Sequence, residues 1–368
     1  MENSLVLTEH RIVFVDVAKN ASTSIKWMLA DLSGQDPEVF YRGTGMAPTP
    51  WQTVHRRSAW RGVRSLSELT ASERARISPD GWFVFAVVRD PRVRAWSAWQ
   101  SKFLVGNPLH TTVKFPDRPW LPRVPTTSDE VKEDFARFVD ALGARTDLDL
   151  VTDSHFAPQV DLLHEATVPY SRIYDISELE QMLEDLGRHL GTIGVEVRPS
   201  LARENGTPLA IAGRVFEPPV RARLEEFYAA DLERFGEWWD FDRTVQRRTA
   251  WSKDAFRDVA ARVAAGRRVA DLSLASRELR AERGRAESRA RRLEKATATA
   301  RRQAASHRAE FARLERRLDR ATARQHDLRR RVVELEAALE RRTVRGFARA
   351  VLRRGRRILA RASGRARR

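Results

Sequence analysis

The sequence predicts a three-layer α/β domain with a parallel central sheet, followed by a long C-terminal α-helical coiled coil. Two segments predict the domain. Arg11 to Lys26 (RIVFVDVAKNASTSIK) and Phe83 to Phe103 (FVFAVVRDPRVRAWSAWQSKF) each run from an apolar strand through a polar turn into a helix. Such a continuous apolar run, rich in β-branched and aromatic residues, suits a strand covered on both faces. The third observation concerns the C-terminal region. After Trp251 proline is absent and Ala, Arg, Leu and Glu dominate, the composition of a long helix.

The first strand is expected over about residues 11–16. It leads into a loop holding Lys19, and Ser22, Thr23 and Ser24 open a helix reaching about residue 32. Small and hydroxylated residues there let backbone N–H groups, hydroxyls and a lysine converge on one phosphate-sized anion. An ordinary Ser-capped helix explains the same residues without a ligand. The triphosphatase spelling GxxxxGK(S/T) is absent, which disfavours a P-loop kinase.

The next strand is expected over about 82–88, with Arg89 at its carboxyl edge. Asp90 suits an N-cap and Pro91 the first helical turn. A helix over about 92–103 then places Arg94, Ser97 and Ser101 near one face while Trp96 and Trp99 pack elsewhere. A sheet edge beside a helix N-terminus is where open α/β folds bind anions; a salt-bridged turn of Arg89 and Asp90 is the plainer alternative. Further helices near 129–142, 177–189 and 217–235 complete the cover of the sheet.

Together the two segments resemble the paired cofactor motifs of sulfotransferases that use 3′-phosphoadenosine 5′-phosphosulfate, especially the Golgi-type carbohydrate enzymes (sulfotransferase family 2-like). In that family a PKxASTS strand-loop-helix grips the 5′-phosphosulfate, and an R(D/E)PxxRxxSAY segment grips the 3′-phosphate. The matching residues are Lys19, Asn20, Ala21, Ser22, Thr23 and Ser24, and then Arg89, Asp90, Pro91, Arg94, Ser97 and Ala98. Ala18 stands where the family has proline and Trp99 where it has tyrosine; neither departure removes a charge or a donor. His155 to Gln159 (HFAPQ), Arg172 to Leu179 (RIYDISEL), Glu204 to Pro208 (ENGTP) and Phe227 to Phe241 extend the similarity over roughly 11–241.

The resemblance implies a P-loop-like sulfotransferase domain that moves a sulfuryl group from that donor to a hydroxyl of a carbohydrate, glycan or glycolipid. Sulfuryl transfer requires charge neutralisation on the leaving group and a base for the nucleophile. Lys19 is expected in the first role, assisted by Ser22 to Ser24. His55 and His155 compete for the second, since histidine titrates near neutrality; Glu9, Asp16 and Asp161 are carboxylate substitutes. No metal is expected, because the chemistry requires none and the sequence shows no close His/Asp/Glu cluster. The stretch from Gly106 to Thr127 reads as a long loop over the acceptor site, where Lys114, Arg118, Trp120 and Arg123 either contact a glycan or form plain surface.

Composition bounds the rest. The chain of 368 residues has no cysteine, which excludes disulfides and thiol chemistry. Neither a signal peptide nor a membrane span is legible, unlike the anchored Golgi relatives, so cytoplasmic residence is expected. Residues 251–368 hold 36 Lys+Arg against 14 Asp+Glu, a net of +22, whereas residues 1–250 hold 31 against 36, a net of −5. The excess basicity therefore belongs to the C-terminal part.

Three domains follow: sulfotransferase 1–250, coiled coil 251–342 and a basic amphipathic tail 343–368. A seven-residue register runs from Leu272 to Leu335, and a second, four residues on, from Ser276 to Leu339. Self-association into a parallel homo-oligomer is expected, with folding back as the alternative. In the tail, Val344, Phe347, Val351 and Ile358 share a stripe with Leu352 and Leu359 beside it among arginines, the pattern of a peripheral anchor on an anionic membrane surface at the inner face. Contact with nucleic acid or another polyanion, or a disordered solubilising tail, are the alternatives. If the Arg-rich coil were the functional part, the chain would instead be a polyanion-binding or scaffolding protein with a non-catalytic nucleotide-type fold.

Overall fold

A computed structural model describes residues 1–42, 49–202, 206–245 and 251–363. Four strands, β1 (Ser4–Leu7), β2 (Ile12–Val15), β3 (Phe83–Val88) and β4 (Arg172–Asp175), form one sheet in the order β1-β2-β3-β4. β2, β3 and β4 are parallel, with Ile12 opposite Phe83 and Phe85 opposite Arg172. The sheet is mixed rather than wholly parallel, because β1 runs antiparallel to β2. Only four residues join them, and a parallel pair needs a crossover of a dozen or more. β1 is a four-residue apolar run, too short to stand out by periodicity.

Alternation along the buried strands gives each face its own layer. Phe14, Phe83, Phe85 and Val87 pack against α1 (Ser22–Leu32), through Ile25 and Leu29, and against α4 (Leu179–Thr192), through Met182, Leu186 and Leu190. Val13, Val15, Val84 and Ala86 pack on the other side against Leu66, Leu69, Leu163 and Phe235. A second core lies around α2 (Pro91–Trp99), where Trp96 stacks on Trp99 at 5.2 Å and Phe135 meets both rings. α3 (Ser128–Ala144) and α5 (Pro218–Phe227) enclose it, and α6 (Ala229–Phe235) follows.

The last helix, α7 (Lys253–Ser363), is divided between two units. Its first turns bury Phe256, Val259 and Val263 in the second core, so the compact unit is Met1–Leu279. Contact is closest at Gly266, where an added Cβ would lie 2.8 Å from the Gly106 carbonyl oxygen. Gly266→Ala should therefore cost about 1–3 kcal/mol, as overpacking does. Thermal unfolding should show a drop of several degrees; an unchanged midpoint would contradict this seat for the helix. The second unit, Arg280–Arg368, is helical as far as Ser363.

The stretch expected to be a loop over the acceptor is more ordered than that. It holds a wide helical turn at Leu109–Lys114 and sends Phe115 and Trp120 into the core, with Trp120 4.8 Å from the Phe103 ring. Trp120 is thus unavailable for stacking on a glycan. Arg118 pairs with Asp147 and Asp149, and Arg123 with Glu133 and Asp134, so both brace the fold.

Candidate active site

The carboxyl ends of β2 and β3 open on a cavity of about 1150 Å³. Between β2 and α1 the chain turns through left-handed conformations at Lys19 (φ 77°) and Ala21 (φ 56°). Such conformations are costly for non-glycine residues and make concavities lined by backbone N–H groups. Neighbouring side chains hold the loop in place. Asn20 donates to the Val87 carbonyl (3.0 Å) and to Gln159 Oε1 (2.7 Å), Ser22 Oγ donates to the Val17 carbonyl (2.9 Å), and Arg94 Nε donates to the Ala18 carbonyl (3.0 Å). Lys19, Ala21, Ser22, Thr23 and Ser24 line the cavity. The first N–H groups of α1 have no acceptor within the helix and are free for an anion.

Asn20, expected among the donor's contacts, lies buried with its amide nitrogen spent on the fold and its Oδ1 without a partner among the described residues. Arg94 has a similar part. Its fully buried guanidinium also donates to the Ala157 (2.9 Å) and Ser154 (2.8 Å) carbonyls, tying the first loop to the HFAPQ segment. Gln159 completes the clasp: its Nε2 donates to the Arg89 carbonyl (2.8 Å) and its Oε1 accepts from the Arg89 N–H (3.1 Å). These residues position the two cradles relative to each other.

Arg89 and Ser97 line the same cavity. Among the described residues the Arg89 guanidinium has no hydrogen-bond or ion-pair partner, and burial lowers its pKa despite Asp90 and Asp175 nearby. Burial, then the nearby Lys102 and Arg89 charges, brings Lys19 down to about 7. Lys102 itself is brought to about 8, chiefly by burial. Lys102 was not legible as a site residue. It lies five residues after Ser97, off that face of a regular α-helix, but the helix widens to π form over Gln100–Leu104 and Lys102 lines the cavity. Lys19, Arg89 and Lys102, half-buried around one cavity and without an ion pair among the described residues, make a site that fits a polyanionic ligand.

The two histidines are placed differently. His55 ends a short 3₁₀ turn, with Nδ1 3.1 Å from Lys26 Nζ and Nε2 2.9 Å from Thr23 Oγ1. Lys26 is also 2.5 Å from Asp16. An ammonium group only donates, so Nδ1 carries the lone pair and Nε2 donates its proton to Thr23. Both nitrogens of His55 are therefore engaged. Although the ring is partly open to solvent, desolvation by the surrounding walls and then the Lys26 charge hold its pKa well below the usual value.

His155 Nδ1 lies 2.7 Å from Asp153 Oδ1, which also accepts the His155 backbone N–H (2.9 Å). A carboxylate only accepts, so Nδ1 carries the proton and Nε2 the lone pair. His155 lines the cavity, and burial followed by the Lys102 charge holds it at about 3 against the opposing Asp153. Asp153 also accepts from Lys114 (2.9 Å); burial opposes its ionisation, but His155 and Lys114 outweigh this and keep its carboxyl below the usual range.

The fold also brings His110 into this group, with candidate ligand atoms of His110, Asp153 and His155 within 4.8 Å of one another. A spacing of more than forty residues hid this cluster from the sequence reading. The Asp153 carboxylate is already engaged by Lys114 and His155, while His110 Nε2 stands 3.7 Å from it without a hydrogen-bond partner among the described residues. Of the carboxylate substitutes, Asp16 lines the cavity while Glu9 and Asp161 are exposed elsewhere. In the ENGTP segment Glu204 and Asn205 lie outside the described residues; Gly206, Thr207 and Pro208 line the cavity.

A sheet edge with two basic cradles and a histidine held by a carboxylate is an arrangement suited to group transfer on an anionic ligand. The model of the sulfotransferase family matches residues 2–236, and the chain belongs to that family. No curated protein and no solved structure matches the chain. Sulfuryl transfer is therefore the chemistry of this domain.

Proposed function

We propose that the enzyme uses 3′-phosphoadenosine 5′-phosphosulfate as donor and sulfates a hydroxyl of a carbohydrate, glycan or glycolipid. The observation that carries this reading is the pair of cradles in one cavity, Lys19 with the α1 N-terminus and Arg89 with Ser97, in which neither cation makes an ion pair among the described residues. The donor supplies an activated sulfuryl group when bound. Lys19 and the α1 N–H groups place positive charge where a leaving phosphate gains negative charge. Arg89 and Ser97 suit a second phosphate. His155 Nε2 accepts the acceptor's proton, Asp153 fixes the tautomer, and His55 aligns Thr23.

The test is calorimetric titration of 3′-phosphoadenosine 5′-phosphate into the full chain. Micromolar binding, weakened at least tenfold by Arg89→Ala, is expected; no binding by the folded protein would defeat the donor assignment. Lys102→Met should raise the KM for donor about tenfold or more, as loss of a buried charge-assisted contact does; an unchanged KM would leave Lys102 without that role.

The C-terminal segment supports peripheral attachment at the inner face of a membrane. Val344, Phe347, Val351 and Ile358 are exposed on a helix rich in arginine. Among the described residues no helix is long and apolar enough to cross a membrane. Cosedimentation with phosphatidylserine vesicles, lost on removal of residues 343–368, is the expected outcome.

A further inference from the structure

The unit Arg280–Arg368 leaves its apolar side chains open to solvent: Leu314, Leu318 and Leu335 are 53, 68 and 68 % exposed. They fall on the heptad seam given above, and a helix that carries such a seam is stabilised by covering it. Small residues predominate in the first half of the seam, at Ala286, Ala290, Thr297, Ala300 and Ala304 with Leu293 the exception, and large ones in the second, at Leu314, Leu318, Gln325, Leu328 and Val332 with Ala321 the exception.

We infer that this seam is covered by the seam of a second copy running antiparallel, with a two-fold axis near Ala309. In that register Ala286 meets Val332, Ala290 meets Leu328, Ala300 meets Leu318 and Ala304 meets Leu314. Each of these four layers then holds one small and one large side chain, and the layer where Thr297 meets Ala321 does so less fully; the four mixed layers keep the helix spacing nearly even. A parallel pair would set each residue against itself, alanine on alanine and Arg283 on Arg283.

The flanking charges point the same way. Antiparallel pairing brings Arg280 to Glu336, Glu287 to Arg329 and Arg301 to Glu315. Like charges meet between Arg289 and Arg331 and, at the axis, where Arg308 and Glu310 each face their own copy. Parallel pairing would instead oppose Glu282 to Glu287, Glu310 to Glu315 and Arg324 to Arg329, with opposite signs only at Arg289 to Glu294 and Arg331 to Glu336. Exposed ion pairs are weak individually, so the size pairing carries more of the stabilisation and the charges select the orientation.

The chain contains no cysteine, so introduced thiols have no competitors. Full-length Ala286→Cys and Val332→Cys are made separately and also coexpressed with different tags, then oxidised. In the antiparallel dimer two copies of position 286 lie about 70 Å apart along the helix. Neither single variant should form disulfide-linked dimers, and the coexpressed pair should. Disulfide dimers of Ala286→Cys alone would overturn the orientation. A monomeric or trimeric mass in sedimentation equilibrium would overturn the assembly. Glu315→Arg should weaken dimerisation and added Arg301→Glu should restore it; equal weakening by the double change would overturn the register.

Discussion

Lys19→Ala should lower kcat by a hundred- to a thousandfold, the scale of removing one preorganised donor to developing negative charge. Lys19 is fixed by a left-handed loop, half-buried, and has Lys102 and Arg89 as charged neighbours. Its side chain needs little reorganisation to meet an anion. The same surroundings bring its pKa to about 7, so in the free enzyme it is protonated below neutrality and loses its charge above. An anion binds the protonated form and raises its pKa. Affinity for 3′-phosphoadenosine 5′-phosphate should therefore be greatest below pH 7 and decline above it, with a proton taken up on binding near pH 7–8. Calorimetry in two buffers of different ionisation enthalpy measures that proton. In Lys19→Ala the uptake should shrink to what Lys102, at about 8, contributes. Uptake unchanged in the variant, or kcat within threefold of the parent, would remove Lys19 from the site.

The parts of this site legible in the sequence were those set by local spacing. A strand, a loop lysine and a hydroxyl-rich helix start are neighbours in the chain, and so are Arg89 and Ser97; the structure places Lys19, Ser22, Thr23, Ser24, Arg89 and Ser97 around one cavity. What local spacing could not give was which side chains turn inward. Asn20 and Arg94 sit inside the motifs yet serve the fold, because the loop's own carbonyls and the HFAPQ segment need donors. Lys102 reaches the cavity only through a widened helical turn, and His110 joins the neighbouring Asp153 and His155 only through tertiary packing. Trp120 shows the converse: a proline-rich, basic stretch reads as open loop, but its aromatic residues are drawn into the core beside Phe103 and Phe138. The fold itself was legible where strands are continuous apolar runs, and failed at β1, where four residues and a tight reversal carry no period.

His155→Ala should lower kcat by about a hundred- to ten-thousandfold with little change in donor affinity, the range of a lost general base. His55→Ala should cost less, because both nitrogens of that ring are already engaged by Lys26 and Thr23. Asp153→Asn tests the arrangement and not merely the ring: its amide can donate to Nδ1 and so invert the tautomer, turning the lone pair away from the cavity. Loss comparable to His155→Ala is expected, with the fold intact by circular dichroism. The pH profile gives a separate sign. His155 is held at about 3 by burial and by the Lys102 and Lys19 charges, so it is deprotonated and competent at neutral pH. Bound anions offset those charges and move its pKa upward, which places the loss of rate on the acid side only. Lys102→Met removes one of the depressing charges and should shift the acid limb of kcat to higher pH. A limb that stays put or moves to lower pH, or a His55→Ala defect exceeding that of His155→Ala, would transfer the base to another group.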